Sequence, residues 1–273
     1  MRERPVRLLM AVVAAAIFAF PIWFMASSAF KAEAEVQAIP LHFLPHHFQG
    51  LAQFRQAAEI APLWRYFLNS WIYAASHVGI TVFFGALAGF GFAKYRFPGR
   101  TLLFVAVLST IMVPFQVLVV PLFVEVKWFG WENSYAGLII PGMMNAFGVF
   151  MMRQYASDLP DELIEAARVD GAGEFHIFLR IALPLLLPAL ASLAIIVFIW
   201  SWGNFLWPLV IVQDQDLNVL SVGMTSYSQP YQREPMWAAA MAASTVATLP
   251  IAALFVFFQR YFVKGLTAAA VKG

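Results

Sequence analysis

Cysteine is absent from the 273 residues, which excludes disulfide staples and thiolate metal sites. Charge is scarce: Asp, Glu, Lys and Arg make up 12% of the chain, too little to clothe an ordinary soluble domain. The net charge of +2 provides no footprint for nucleic acid. No G-x-x-x-x-G-K-[ST] loop occurs, so the chain has no evident means of hydrolysing ATP by itself. No Ser/His/Asp set or carboxylate pair recurs at a plausible membrane depth, and catalytic residues are not expected. His42, His46 and His47 lie close together but lack carboxylate or cysteine at matching spacing, so they are not read as a metal site. Low-complexity linkers and obvious repeats are also missing, which leaves one domain over residues 1–273.

What remains is 62% hydrophobic, and the expected fold class is an all-α polytopic membrane protein. Apolar runs place six transmembrane helices near 8–30, 66–93, 102–126, 135–152, 183–212 and 236–262. The first run follows Arg2, Arg4 and Arg7 and is too long for a signal-peptide core, so it reads as a retained span. Pro114 and Pro121 should bend the third. On this plan twelve Lys and Arg side chains fall on the side of the termini and five on the other, which predicts cytoplasmic N- and C-termini.

A polar island at 157–181 interrupts the apolar pattern. It reads as a short helix: Ser157 and Asp158 can cap it, Pro160 suits its first turn, and Asp161 and Glu162 sit at its positive end. Gly171 then stops it. Leu163, Ala166, Ala167 and Asp170 fall on one face by spacing, and alanine there permits close approach of another backbone.

Glu165-Ala166-Ala167, three residues, Gly171, nine residues and Ile181-Ala182-Leu183-Pro184 form a pattern that resembles the EAA loop of permease subunits in bacterial ABC importers. With Asp170-Gly171-Ala172 and Leu183-Pro184-Leu185 it is similar to the maltose-type carbohydrate branch. The resemblance implies that this helix is a cytoplasmic coupling helix docking into a separate ATPase. Glu165 and Asp170 would pair with basic residues there, Ala166 and Ala167 would allow close approach, and Gly171 would turn the chain. It also implies a bacterial inner-membrane location, a second homologous permease, two ATP-binding subunits that hold ATP and Mg, and an extracytoplasmic solute-binding protein meeting the segment 214–235. The cargo would be a sugar or oligosaccharide, and no cofactor would belong to this chain. The tail at 265–273 also looks like the end of such permeases.

A hydrophilic cargo needs polar and aromatic side chains inside the bilayer. The pathway candidates are Asn69, Tyr73, Gln116, Asn145, Trp202, Gly203 and Asn204, with Ser70, Ser244, Thr245 and Thr248 as further polar positions. The segment 200–208 resembles a family stretch that usually reads tryptophan, asparagine, acid, aromatic, leucine, tryptophan, proline. Here Gly203 and Asn204 replace the asparagine and the acid, and the glycine could unwind the chain or widen a cavity. Alternatives are a glycerophosphodiester or polyol cargo, an ion-coupled secondary transporter for which His77 would be the one ionisable group well inside a span, and a membrane scaffold.

Overall fold

The computed structural model describes residues 3–227 and 236–270, with side chains described over 6–227 and 236–258. Arg2, Arg233 and the end of the tail lie outside the described residues, and Arg4, Arg260 and Lys264 outside the described side chains. Among the described residues all regular structure is helical. The first half holds α1 (Glu3–Ser28), α2 (Glu33–Val36), α3 (Ala52–Ile60), α4 (Leu63–Lys94), α5 (Arg100–Ser109), α6 (Phe115–Trp128) and α7 (Tyr135–Ile139). The second holds α8 (Ala146–Ser157), α9 (Asp161–Val169), α10 (Glu174–Ile177), α11 (Leu183–Leu185), α12 (Leu187–Trp202), α13 (Leu206–Ile211), α14 (Leu220–Gly223) and α15 (Trp237–Ala270).

Among the described residues three single helices are long and apolar enough to cross a membrane: Val6–Ser28, Leu63–Lys94 and Trp237–Phe258. Three helix pairs qualify only together: Arg100–Met112 with Phe115–Trp128 bent by 100°, Tyr135–Gly142 with Ala146–Ser157 by 46°, and Glu174–Leu185 with Leu187–Trp202 by 80°. The bend expected in the third span is present at Pro114, where it parts the span into two helices. Pro114 drives Val113 out of the helical region, to φ −86° and ψ 115°. Pro121, by contrast, stays inside α6. The expected fifth span, 183–212, is not one helix either. A π turn at Phe178–Ala182 precedes Pro184, α12 ends at Trp202, and α13 resumes at Leu206. Pro208 explains the second interruption, because its ring and missing N–H forbid a helical bond to the carbonyl of Asn204.

The chain divides into two compact units, one comprising Met1–Phe67 with Val219–Ala252 and the other Leu68–Asn218 with Ala253–Gly273. In the first, the Glu33 carboxylate accepts hydrogen bonds from the Trp237 and Ala238 amides at 2.6 and 2.9 Å, and so caps α15 from a distant part of the chain. Lys31 is fully buried, and its Nζ donates to Ser28 Oγ at 3.0 Å and the His42 carbonyl at 2.7 Å. The Thr245 and Thr248 hydroxyls donate to the carbonyls of Met241 and Ser244 four residues back, and Ser244 Oγ meets Met224 Sδ. Those expected pathway hydroxyls thus serve the helices themselves.

In the second unit α4 and α8 touch backbone to backbone. A Cβ at Gly89 would stand 2.6 Å from the Arg153 nitrogen and 2.7 Å from Met152 Cβ, and one at Gly85 would stand 3.2 Å from the Gly148 carbonyl carbon. Small residues four apart allow this approach, where dispersion and not the hydrophobic effect holds helices together in lipid. Below the crossing Phe90, Met152, Ile164, Ala167, Ile177 and Phe178 form one buried cluster. It joins α4 and α8 to the polar island.

Candidate functional site

Two places in the second unit gather functional chemistry, a cavity among the apolar helices and the short helix α9. Tyr73, His77 and Thr81 recur every four residues on α4 and so share a face. They line a cavity of about 290 Å³ together with Phe115, Asn145, Trp200, Ser201, Asn204 and Trp207. Asn204 Nδ2 donates to the Tyr73 hydroxyl at 2.8 Å, and His77 Nε2 meets the Ile139 carbonyl at 3.1 Å. The Tyr73 and His77 rings lie 4.5 Å apart, and Trp200 packs edge-on against Phe147 at 5.2 Å. Trp207 Nε1 donates to the Gly137 and Leu138 carbonyls, which fixes its ring as a wall. Among the described residues the Tyr73 hydroxyl proton, the Asn145 amide NH₂, the Trp200 indole N–H and the Ser201 hydroxyl have no protein partner. Among the described residues no Asp, Glu, Lys or Arg lines this space.

The pathway candidates divide accordingly. Tyr73, Asn145 and Asn204 converge on the cavity. Asn69 does not: it is buried, its Nδ2 donates to the Asp216 and Asn218 carbonyls at 2.8 and 2.9 Å, and its Oδ1 accepts from Tyr135. Its hydrogen-bonding capacity is spent on holding the loop at 214–218. Gln116 is exposed outside the cavity, two residues beyond Pro114. Trp202 is buried beside Phe198 and Trp71, with ring centroids at 5.4 and 5.6 Å, and serves the core. Gly203 ends α12 at φ −88°, a backbone any residue adopts, and a Cβ there would meet only the Ile199 carbonyl at 3.4 Å. The chain does leave the helix at this point, but Pro208 accounts for that without special backbone freedom. Thr81 and Phe115 are lining residues not singled out from the sequence, whereas Trp200 and Ser201 belong to the segment 200–208 that was. The period of four from Tyr73 through His77 to Thr81 was the signal for the last polar member of that face.

The polar island forms α9 as expected, with different caps. Ser157 ends α8, its hydroxyl donating to the Arg153 carbonyl, Asp158 is the residue after it, and Pro160 occupies the N-cap of α9 without a side-chain cap. The C-terminus follows the expectation: Gly171 takes φ +83°, its N–H reaches the Arg168 carbonyl at 3.0 Å, and the Ala172 N–H reaches the Ala167 carbonyl at 2.9 Å. The buried side of α9 carries Ile164 and Ala167, whereas Leu163, Glu165, Ala166 and Asp170 are exposed. Ala167 therefore belongs to the protein's own core and is not free for an outside surface.

Around α9 two charge pairs form. Lys94 Nζ, at the end of α4, donates to the Leu159 carbonyl at 2.5 Å and to Asp161 Oδ1 at 2.6 Å. Lys94 holds the Asp161 carboxyl below its ordinary pKa of 3.8. Arg168 Nε and Nη2 grip both oxygens of Glu174 at 2.7 and 3.1 Å, and Tyr95 donates to the same carboxylate at 2.5 Å. The hydrogen-bonded Glu174 raises the Arg168 pKa, while burial and then Glu174 push the Tyr95 phenol up to about 12. In the other unit the His42 and His46 rings meet at 2.9 Å, and the His46 and His47 amides donate to Glu35. Among the described residues no group of three metal-ligating side chains forms.

Residues 81–268 match the family described as "Binding-protein-dependent transport system inner membrane component". The chain is 40% identical over 215 residues to the arabinooligosaccharides transport system permease protein AraQ of Halalkalibacterium halodurans, covering 79% of this chain and 76% of that protein. It is 33% identical over 262 residues to the sn-glycerol-3-phosphate transport system permease protein UgpE of Escherichia coli, covering 94% and 93%. Among solved structures, a chain of a bacterial ABC transporter involved in the import of the acidic polysaccharide alginate superposes with a TM-score of 0.85 at 20% identity, over 95% of this chain and 96% of that one.

Proposed function

The chain belongs to the family of binding-protein-dependent transport system inner membrane components, and from that premise we propose that it is the membrane-spanning subunit of an ATP-driven importer for a neutral, polyhydroxylated cargo of the saccharide class. It pairs with a second, homologous permease, receives cargo from an extracytoplasmic solute-binding protein, and is driven by two ATPase subunits that bind ATP and Mg. This chain has no ATPase site of its own. Both termini face the cytoplasm, in keeping with the excess of Lys and Arg on that side.

The cavity carries this reading. Aromatic faces of Trp200 and Phe115 suit the C–H surfaces of a sugar ring, and the unpartnered donors at Tyr73, Asn145, Trp200 and Ser201 suit its hydroxyls. A wall without a cation offers nothing to neutralise a phosphate buried in the bilayer. The likeness to UgpE over 94% of the chain favours a second reading, a glycerol-phosphate cargo whose charge is met by the partner permease. Cargo-stimulated ATP hydrolysis by the purified complex decides between them. Stimulation by arabinose or glucose oligosaccharides and not by sn-glycerol-3-phosphate is expected; the reverse pattern rejects the neutral-cargo reading.

At the cytoplasmic end α9 is the docking element. Glu165, Ala166, Asp170 and Leu163 present a small, acidic face to an ATPase groove, Ala167 anchors the helix from beneath, and Gly171 turns the chain away. When the ATPases close on ATP, the cavity changes the side to which it opens. Glu165→Lys should leave the helices inserted and abolish copurification of the ATPase or ATP-dependent uptake. Full uptake in that variant would refute the docking role.

A further inference from the structure

We infer that Lys94 and Tyr95 are positioning residues that bind α9 and the start of α10 to the end of α4, so that a displacement of α9 reaches the cavity wall with no hinge between. The inference rests on the reading of α9 as the docking element.

Three observations carry it. First, two consecutive residues at the end of α4 hold both ends of the docking segment. Lys94 spans the Leu159 carbonyl and Asp161 at the start of α9, while Tyr95 reaches Glu174, which in turn holds Arg168 in the last turn of α9. Second, the tie is sheltered on the side of its cation, although the Asp161 and Glu174 carboxylates face solvent. The Lys94 side chain is 5% exposed, and the Arg168 guanidinium lies over the Tyr95 ring at 5.6 Å, with Ile164 and Ala167 packed into the cluster of Phe90, Ile177 and Phe178 beneath. An exposed ion pair alone would contribute little. Here the partly desolvated donors have no better alternative, since leaving Lys94 unpaired would strand a nearly buried charge.

Third, α4 runs unbroken from Leu63 to Lys94 and lines the cavity with Tyr73, His77 and Thr81. Twenty-one residues of helix separate Tyr73 from Lys94, roughly 30 Å at about 1.5 Å per residue. Two of the other segments lining the cavity are interrupted: α6 begins at the Pro114 break and α12 is bent by 80° from the helix before it. Among the described residues α4 is the longest unbroken element between the cavity and the docking helix, with α8, which runs from its cap Asn145 to Ser157, packed against it. Its glycines at 85 and 89, locked on α8, stop it from sliding independently.

The absence of cysteine allows a direct test. In the full complex with its ATPases, Leu68→Cys on α4 and Val169→Cys at the end of α9 provide two exposed label sites. Spin-label distances should be the same with and without trapped ATP, because the two helices move together. Lys94→Met with Tyr95→Phe should retain the ATPase subunits and ATP hydrolysis, broaden the label distance, and lower cargo transported per ATP by about tenfold, a usual size for coupling between linked sites. Lys94→Arg should restore the ratio. A nucleotide-dependent distance change in the parent pair, or an unchanged transport ratio in the double variant, overturns the proposal. Loss of the ATPases from the double variant would assign the two residues to docking and overturn it as well. A parent complex that never holds an ATPase refutes the docking reading itself.

Discussion

The two working regions of the second unit treat polar groups in opposite ways. Around α9, Lys94, Asp161, Tyr95, Glu174 and Arg168 satisfy one another. In the cavity wall, donors on Tyr73, Asn145, Trp200 and Ser201 are left without a protein partner. A segment that transmits force profits from mutual satisfaction, because a partly satisfied network would let it settle in several positions. A segment that passes cargo must keep some capacity unspent, since a wall already saturated with hydrogen bonds has nothing to exchange for the cargo's water. The same helix, α4, contributes to both, and its character changes along its length.

The strongest way to break this comparison is to separate the regions. Gly89→Leu would force α4 from α8 at the crossing between them, where even a Cβ lies 2.6 Å from the Arg153 nitrogen. It should destabilise the subunit by about 3 kcal/mol or more, seen as loss of folded protein in a thermal melt of the detergent-solubilised complex. Trp200→Ala sharpens the comparison from the cavity side. Half-exposed and unpartnered at its indole N–H, Trp200 supports little of the fold, so transport should fall about tenfold with the melting temperature nearly unchanged.

A third measurement concerns pH. The Asp161 carboxyl is depressed below 3.8, so its tie to Lys94 is complete above the ordinary carboxylate range and fades only as pH falls through the lower folded-state value. Tyr95, pushed up to about 12, keeps its proton and its donation to Glu174 through the same range. Label distances across α4 and α9 should therefore stay constant through neutral pH and change only on strong acidification. The smallest effect is expected of Gly203→Asn. With φ −88° and one ordinary contact at 3.4 Å, stability should shift by less than about 0.5 kcal/mol and cargo preference should not change, as measured by uptake of a saccharide panel.

Much of this arrangement is legible in the order of residues, and the limits have physical causes. Glu165-Ala166-Ala167 with Gly171 marks the short helix and its turn, because a positive φ and small side chains leave strong signatures. Of the face expected to dock, Leu163, Ala166 and Asp170 are exposed and Ala167 alone turns inward, an outcome that only the tertiary partners Phe90 and Phe178 decide. Hydropathy finds the long helices α1, α4 and α15 but cannot tell a bent span from a broken one. That outcome depends on whether neighbours re-satisfy the carbonyls freed at Pro114, Pro184 and Pro208. Polar residues such as Asn69 and Asn145 look alike in one dimension. Only the carbonyls of Asp216 and Asn218 separate the asparagine that fastens a loop from the one that faces a cavity.

The cap that Glu33 places on α15 has a consequence for the making of the protein. The carboxylate and the amides it receives stand 204 and 205 residues apart. A ribosome delivers the acid long before the helix that needs it, and domains form progressively from the N-terminus during synthesis. Until the final helix emerges the Glu33 side chain stays with water, so closure of the first unit is among the last steps of biogenesis, and a chain stalled before Trp237 would leave it unfastened.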